Sequence, residues 1–200
     1  MHRSLRPATA RAALVVAFLL VLPTTAWAGN FAGNTNFFLG TKTLDKDDWE
    51  PLEEQGAFGA ELSWGNTDWP IYVASDLFWS ADAQGFTFTE TIAVTTELNV
   101  GVRKIWGESR KTRPFVGGGL AIVRGYVQKR FDFVPDVDGS DAAVGPWLTG
   151  GVFWRLGTRF NIGMSARWSK ADVEIFDESL DAGGFQFGLL LGFGWPKHGG

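Results

Sequence analysis

Apolar and polar side chains alternate with a period of two over most of the chain, which is the pattern that predicts β-strands. The last segment shows it best. Large apolar residues hold every odd position from Phe185 to Trp195, and glycine or Gln186 holds every even position except Leu190. A large apolar face opposite a small, uncharged one is typical of a strand between lipid and a narrow lumen. Eight such segments are predicted: residues 36–44, 55–65, 70–80, 86–104, 114–128, 146–156, 159–170 and 185–195.

The connections between these segments alternate in length. Residues 45–54, 81–85, 129–145 and 171–183 form the longer set, and residues 65–69, 107–113 and 157–158 form the shorter set. Outer-membrane barrels keep both termini and the short turns in the periplasm, so the longer connections would be extracellular. The longer set holds 16 of the 22 acidic residues, whereas Arg110, Lys111 and Arg113 cluster in a short turn. We predict an all-β fold, an eight-stranded antiparallel up-and-down transmembrane β-barrel. The facing of the fifth strand is ambiguous, and a bulge at Gly117–Gly119 would explain it.

The first 28 residues have the three parts of a secretory signal peptide. Arg3, Arg6 and Arg11 form a basic start, residues 12–22 form an apolar stretch, and Ala26-Trp27-Ala28 provides small residues for cleavage. The apolar stretch is too short to span a bilayer as a helix. Cleavage leaves one barrel domain, residues 29–200. The loss of three arginines and no acids changes the net charge from −4 to −7. The absence of cysteine excludes disulfides and thiolate chemistry.

The ten tryptophans are unusually numerous for 200 residues, and their positions are informative. Apart from Trp27 and Trp49, each lies at or just beyond the end of a predicted strand. Amphipathic rings at both headgroup levels form the aromatic girdles of membrane barrels. We predict an outer ring of Trp79, Trp147 and Trp168 and an inner ring of Trp64, Trp69, Trp106, Trp154 and Trp195. The alternative is a tryptophan-rich β core, in which the residues would scatter along the strands.

The strand faces opposite the apolar ones contain charges of both signs. The predicted lumen charge network is Lys42, Glu61, Asp76, Glu97, Arg103 and Arg167, with Arg124 and Arg155 as further candidates. Charges inside a narrow barrel must pair or stay hydrated. An eight-stranded barrel is just wide enough for its side chains to fill. We therefore favour a structural plug of salt bridges over a gate or selectivity network. We expect Glu61, Asp76 and Glu97 to pair with Arg167 and neighbouring lumenal cations.

The predicted barrel resembles the small eight-stranded outer-membrane barrels, the group that includes the transmembrane domain of outer membrane protein A and protein X. The stretch Arg113-Pro114-Phe115-Val116-Gly117-Gly118-Gly119 is similar to the Pro-aromatic-Val-Gly start common in their fifth strand. The last strand resembles the C-terminal signal of the barrel-assembly machinery, although five residues follow Trp195. The resemblance implies a bacterial outer-membrane location, contact with membrane lipid and lipopolysaccharide, and assembly by that machinery.

No group of residues predicts catalysis, a cofactor or a metal site. Barrels that modify lipid A typically rely on a histidine, and the only histidines are His2 and His198, outside the predicted strands. The acidic stretch 136–141 lacks the spacing and closing glutamate of a calcium loop. A net charge of −7 gives no support for nucleic-acid binding. Two functional classes remain: a plugged barrel that acts through its acidic loops, or a narrow channel for small solutes. An enzyme that modifies lipid A is less favoured.

Overall fold

The computed structural model describes residues 31–86, 89–107, 110–131, 135–157 and 159–195. Eight long strands form one closed antiparallel barrel, which confirms the predicted fold. They are β1 (Phe31–Thr43), β2 (Glu54–Asn66), β3 (Tyr72–Phe86), β4 (Thr89–Ile105), β5 (Thr112–Phe131), β6 (Val137–Leu156), β7 (Phe160–Ser169) and β10 (Gly184–Trp195). The predicted signal segment and both histidines lie outside the described residues.

The ring closes between β1 and β10, and every other neighbouring pair joins barrel strands that are consecutive along the chain. In the closing pair, Gly40 lies opposite Gly188 and Leu39 opposite Leu189. A Cβ on Gly188 would lie only 2.8 Å from the Gly40 Cα, so this seam needs glycine on both strands. The end where β1 begins and β10 ends is termed the terminus end, and the opposite end is termed the loop end.

The period-two alternation separates two faces of the barrel wall. Leu39, Leu120 and Leu189 point outward and are 70%, 63% and 56% exposed. Leu190, the large residue on the glycine-rich face of β10, is fully buried. Apolar side chains exposed in a continuous band are characteristic of strands that face lipid.

Three strands, β3, β5 and β6, extend toward the loop end by three or more residues beyond the predicted segments. β3 runs through the predicted connection 81–85, and β6 begins at Val137 rather than near residue 146. These extensions are polar or half-exposed, so they lack the strong alternation of the strands in the wall. The predicted bulge in β5 is wrong, because Gly117, Gly118 and Gly119 pair in unbroken register with both β4 and β6.

Three small elements occupy the connections at the loop end. The helical turn α1 (Lys46–Trp49) follows β1, and its N-cap Asp45 accepts a hydrogen bond from the Asp47 amide. Strands β8 (Asp172–Ile175) and β9 (Glu178–Asp181) form a hairpin between β7 and β10. In the part of the chain that the structure describes, no helix is long and apolar enough to cross a membrane.

Candidate functional site: a charged lumen beneath an apolar cap

The structure places the six residues of the lumen charge network inside the barrel. They come from five strands, and each is at most 2% exposed: Lys42, Glu61, Asp76, Glu97, Arg103 and Arg167. Three acids therefore face three bases in one enclosed space. Arg124 instead points outward and donates to the Ser140 hydroxyl over 3.1 Å, while Arg155 is half-buried near the terminus end.

One group of contacts surrounds Lys42 near the loop end. The Lys42 Nζ lies 2.6 Å from the Glu97 carboxylate, and it also donates to Thr95 Oγ1 and the Ala182 carbonyl, each at 2.9 Å. Glu97 Oε1 accepts two further hydrogen bonds, from the Ser169 hydroxyl at 3.1 Å and Gln186 Nε2 at 3.2 Å. All three ammonium protons of Lys42 therefore have an acceptor inside the protein.

A second group centres on Asp76, lower in the lumen. Its Oδ2 accepts hydrogen bonds from Arg103, at 2.8 Å, and from Arg167. The Arg103 guanidinium also donates to Ser63 Oγ at 2.9 Å and lies 3.5 Å from Glu61 Oε2. One carboxylate thus joins two guanidinium groups, and Glu61 balances the second positive charge.

The predicted pairing of Arg167 with the lumenal acids is confirmed for Asp76 and wrong for Glu97. Arg167 pairs with Asp76 and Glu97 pairs with Lys42. The odd or even position of a residue in its strand shows which face of the wall its charge occupies. It does not show the height of that charge along the barrel axis relative to charges on distant strands. That height depends on the strand stagger, which the sequence does not reveal.

The assignment of Trp147 to the outer girdle is also wrong. Its side chain is fully buried in the lumen, and its indole Nε1 donates to the Val100 carbonyl at 3.3 Å. The Arg167 guanidinium lies over the Trp147 ring at 4.4 Å and over the Phe78 ring at 4.3 Å. The sequence misses this because β6 begins before the predicted start, so Trp147 lies within the strand on its inward-facing parity.

The lumen below Asp76 contains carboxamides and aromatic rings. Asn161 Nδ2 donates to Asn34 Oδ1 at 3.0 Å, and the Phe115 and Phe153 rings stack with their centroids 4.3 Å apart. The carboxamides of Asn36 and Asn99 are buried, and among the described residues they have no hydrogen-bond partner. Groups of this kind are commonly satisfied by buried water.

An apolar cluster packs against the charges, and most of its members lie on their loop-end side. We term it the cap cluster: Leu44, Trp49, Leu52, Ala74, Ala93, Ala121, Val123, Val127, Trp147, Ala171, Val173, Ile175 and Ala182. It joins inward-facing strand residues to the connection after β1 and to the β8–β9 hairpin. Two hydrogen bonds hold these connections together, from the Trp49 indole to the Asp181 carbonyl and from the Asp181 amide to Asp48 Oδ2, each at 2.8 Å.

The β8–β9 hairpin has an unusual turn and a polar anchor. Phe176 and Asp177 have φ angles of +56° and +63°, values that few non-glycine residues adopt. The Glu174 amide donates to Asp141 Oδ2 at 2.8 Å. This bond, together with one from the Ala142 amide, lowers the pKa of the Asp141 carboxyl. Asp141 lies in the part of β6 that extends beyond β7.

A groove of about 250 Å³ lies beside the cap cluster at the loop end. Apolar side chains of α1, β5 and the hairpin line it, together with Glu50, Lys129 and Glu178. The Lys129 ammonium lies 5.5 Å from the centre of the Phe176 ring. Within the described ranges, no group of three or more histidine, cysteine, aspartate or glutamate side chains could hold a metal ion.

The remaining girdle tryptophans lie toward the two ends of the barrel. Trp79 stacks on Phe58 with ring centroids 5.5 Å apart. Gly33 of β1 is paired with Trp64 of β2 on one side and with Trp195 of β10 on the other. The other four are at least 36% exposed: Trp69, Trp106, Trp154 and Trp168. Their contact with lipid headgroups stays a prediction.

Comparison with known proteins yields a fold rather than a sequence family. No family model matches the chain. No curated protein matches it either. The chain is similar in structure to Ail of Yersinia pestis, crystallised with the heparin analogue sucrose octasulfate. The TM-score is 0.60 at 11% identity, over 83% of this chain and 99% of Ail. The outer membrane protein OprG of Pseudomonas aeruginosa gives a TM-score of 0.50 at 12% identity, over 84% of this chain and 98% of OprG.

The fold is therefore that of the small eight-stranded outer-membrane β-barrels. The bacterial outer-membrane location expected from the sequence agrees with these structural neighbours. Identities of 11% and 12% carry the comparison no further than the fold.

Proposed function

We propose that the protein is a non-catalytic outer-membrane barrel whose lumen does not conduct ions, and that it acts through its acidic loop end. The termini lie in the periplasm and the loop end is extracellular in this proposal. The barrel-assembly machinery inserts it by recognising the last strand, and lipopolysaccharide surrounds its outer half.

The observation that carries this proposal is the cap cluster above a balanced charge network. An ion that entered from the terminus end would first have to displace the Arg103 and Arg167 contacts to Asp76. It would then meet apolar side chains, including Val173 and Ile175, that offer it no ligand. An unpaired ion in such surroundings is strongly disfavoured.

Recordings in planar lipid bilayers test the closed lumen. Unmodified, refolded protein should give no stable conductance. A variant with residues 172–181 replaced by a short Gly-Ser linker and with Lys42→Ala should conduct, because it lacks part of the cap cluster and the upper ion pair. The matched control has the same linker with Lys46→Ala, which removes an exposed lysine, and it should stay closed. Stable conductance from the unmodified protein would favour the narrow channel for small solutes instead.

The charge of the loop end supports a partner of positive charge. The connections and strand extensions at this end contain most of the acidic residues of the chain. Lys46 and Arg130, two basic residues among them, are already paired, with Glu50 and Glu90. Ail is crystallised with a polyanion, whereas a polyanion would be repelled by this surface. Folded protein in detergent should bind a polylysine-coated surface but not a heparin-coated one at the same ionic strength, and the reverse preference would contradict the proposal.

A further inference from the structure

The terminus end of the barrel has a basic rim whose positive charges form no ion pair with another described residue. Lys104 is half-buried on the outward face of β4, and Arg110, Lys111 and Arg159 are exposed in the turns. None of the four forms a salt bridge with another described residue. The turns of this end contain only two acids in the sequence, Asp68 and Glu108. The rim therefore has a local excess of positive charge.

The backbone holds these four residues close to one another. The Arg110 amide bonds to the Gly107 carbonyl within the β4–β5 turn, and the Arg155 amide bonds to the Lys111 carbonyl, which joins this turn to the end of β6, each at 2.8 Å. The Gly194 amide bonds to the Arg159 carbonyl at 2.8 Å, so the β6–β7 turn is tied to the last strand. The charges thus lie on one arc, across four neighbouring strands from β4 to β7.

The surroundings of the arc are those of a lipid interface. Trp106 and Trp154 lie beside it and are 45% and 36% exposed. Leu156 and Phe160, at the ends of the adjoining strands, point outward and are 52% and 47% exposed. Indole rings at headgroup level next to apolar, lipid-facing residues place the arc where phosphates of a bilayer lie.

We infer that the arc of Lys104, Arg110, Lys111 and Arg159 binds the phosphate groups of anionic phospholipids in the leaflet at the terminus end. The inference rests on the proposed membrane location and goes beyond the proposed function, which concerns the opposite end. Lys and Arg near an anionic membrane surface each strengthen binding about fivefold. A lipid headgroup is favoured over a soluble anion because the apolar neighbours would contact its acyl chains.

Native mass spectrometry of the folded protein in detergent tests this inference with two probes, phosphatidylglycerol and phosphatidylcholine. The unmodified protein should retain phosphatidylglycerol at least about tenfold better, and the preference should fall as salt rises. Changing Arg110, Lys111 and Arg159 to Gln should reduce the preference at least about tenfold. The matched control changes Lys46, Arg130 and Lys170 to Gln at the loop end and should keep it. Heat-modifiable gel migration should show that both variants fold.

Three results would overturn the inference. The first is equal retention of the two lipids by the unmodified protein. The second is an unchanged preference in the rim variant. The third is binding of inorganic phosphate at the rim with higher affinity than the lipid, which would identify a soluble anion as the occupant. None of these results depends on whether the lumen conducts or on what the loop end binds, so a failure here leaves the proposed function standing.

Discussion

Lys42→Met is the most direct test of how the lumen is held together. Methionine keeps an unbranched apolar stem of similar length, so the change removes the ammonium group with little loss of packing. It leaves the buried Glu97 carboxylate with hydrogen bonds from Ser169 and Gln186 but without a counter-charge. It also leaves the Thr95 hydroxyl and the Ala182 carbonyl without this donor.

The magnitude follows from these contacts. Removing one member of a buried ion pair costs about 3–5 kcal/mol, and each of the two hydrogen bonds from the ammonium to a neutral oxygen adds about 1 kcal/mol. The donors that remain on Glu97 reduce the first cost toward the lower end of its range. We expect Lys42→Met to lower the free energy of unfolding by about 5 kcal/mol in total.

The assay is urea unfolding of the refolded protein in lipid vesicles, followed by tryptophan fluorescence. Glu97→Gln completes a double-mutant cycle with Lys42→Met, and the double variant should cost at least about 2 kcal/mol less than the sum of the single changes. A second cycle, Glu97→Gln with Arg167→Met, is the control and should show a smaller coupling, because these residues form no ion pair. A cost below about 1 kcal/mol for Lys42→Met, or equal coupling in both cycles, would refute the assigned pairs.

Three further predictions address the wall, the lumen and the hairpin. Leu189→Arg places a charge on the lipid face, and it should cost about 2–4 kcal/mol in vesicle unfolding. Trp147→Ala leaves a cavity within the cap cluster and should cost about 3–5 kcal/mol, whereas Trp168→Ala, at an exposed site, should cost clearly less in the same assay. The lowered pKa of Asp141 means that its contribution is present above the ordinary aspartate pKa and is lost as pH falls through the folded value. The protection factor of the Glu174 amide, which is the intrinsic exchange rate at each pH divided by the observed rate, should therefore fall on acidification, and Asp141→Asn should remove that pH dependence.

The sequence predicts the barrel wall well because its strands have two different solvents on their two faces. In β7 and β10 every large outward residue has a small or polar neighbour on either side, apart from Leu190, so the period of two is nearly unbroken. The same parity assigns Lys42 and Arg167 to the inner face. Wherever lipid and lumen select opposite residue types, strand facing can be obtained from single positions.

The prediction fails where that contrast ends. Beyond the wall, the β3 and β6 extensions have water on one side, and their mixed residues resemble those of loops. The β8–β9 hairpin is missed for a second reason. Two-residue turns with both φ angles positive usually contain Asn-Gly or Asp-Gly, and here the turn residues are Phe176 and Asp177. Its stability comes from tertiary contacts of Val173 and Ile175, which no local signal reveals.

The arrangement of the lumen also bears on why it contains charges at all. A buried ion pair rarely stabilises a protein more than well-packed apolar residues of the same size, so the network is not explained by stability alone. Its pairs join distant strands: Lys42 on β1 meets Glu97 on β4, and Arg167 on β7 meets Asp76 on β3. Each pair forms only when the barrel has closed with one particular stagger between those strands. A slip by one residue would turn a charge toward lipid, where it costs a few kcal/mol. The network therefore favours a single closed register, and the apolar cap cluster can then assemble over it.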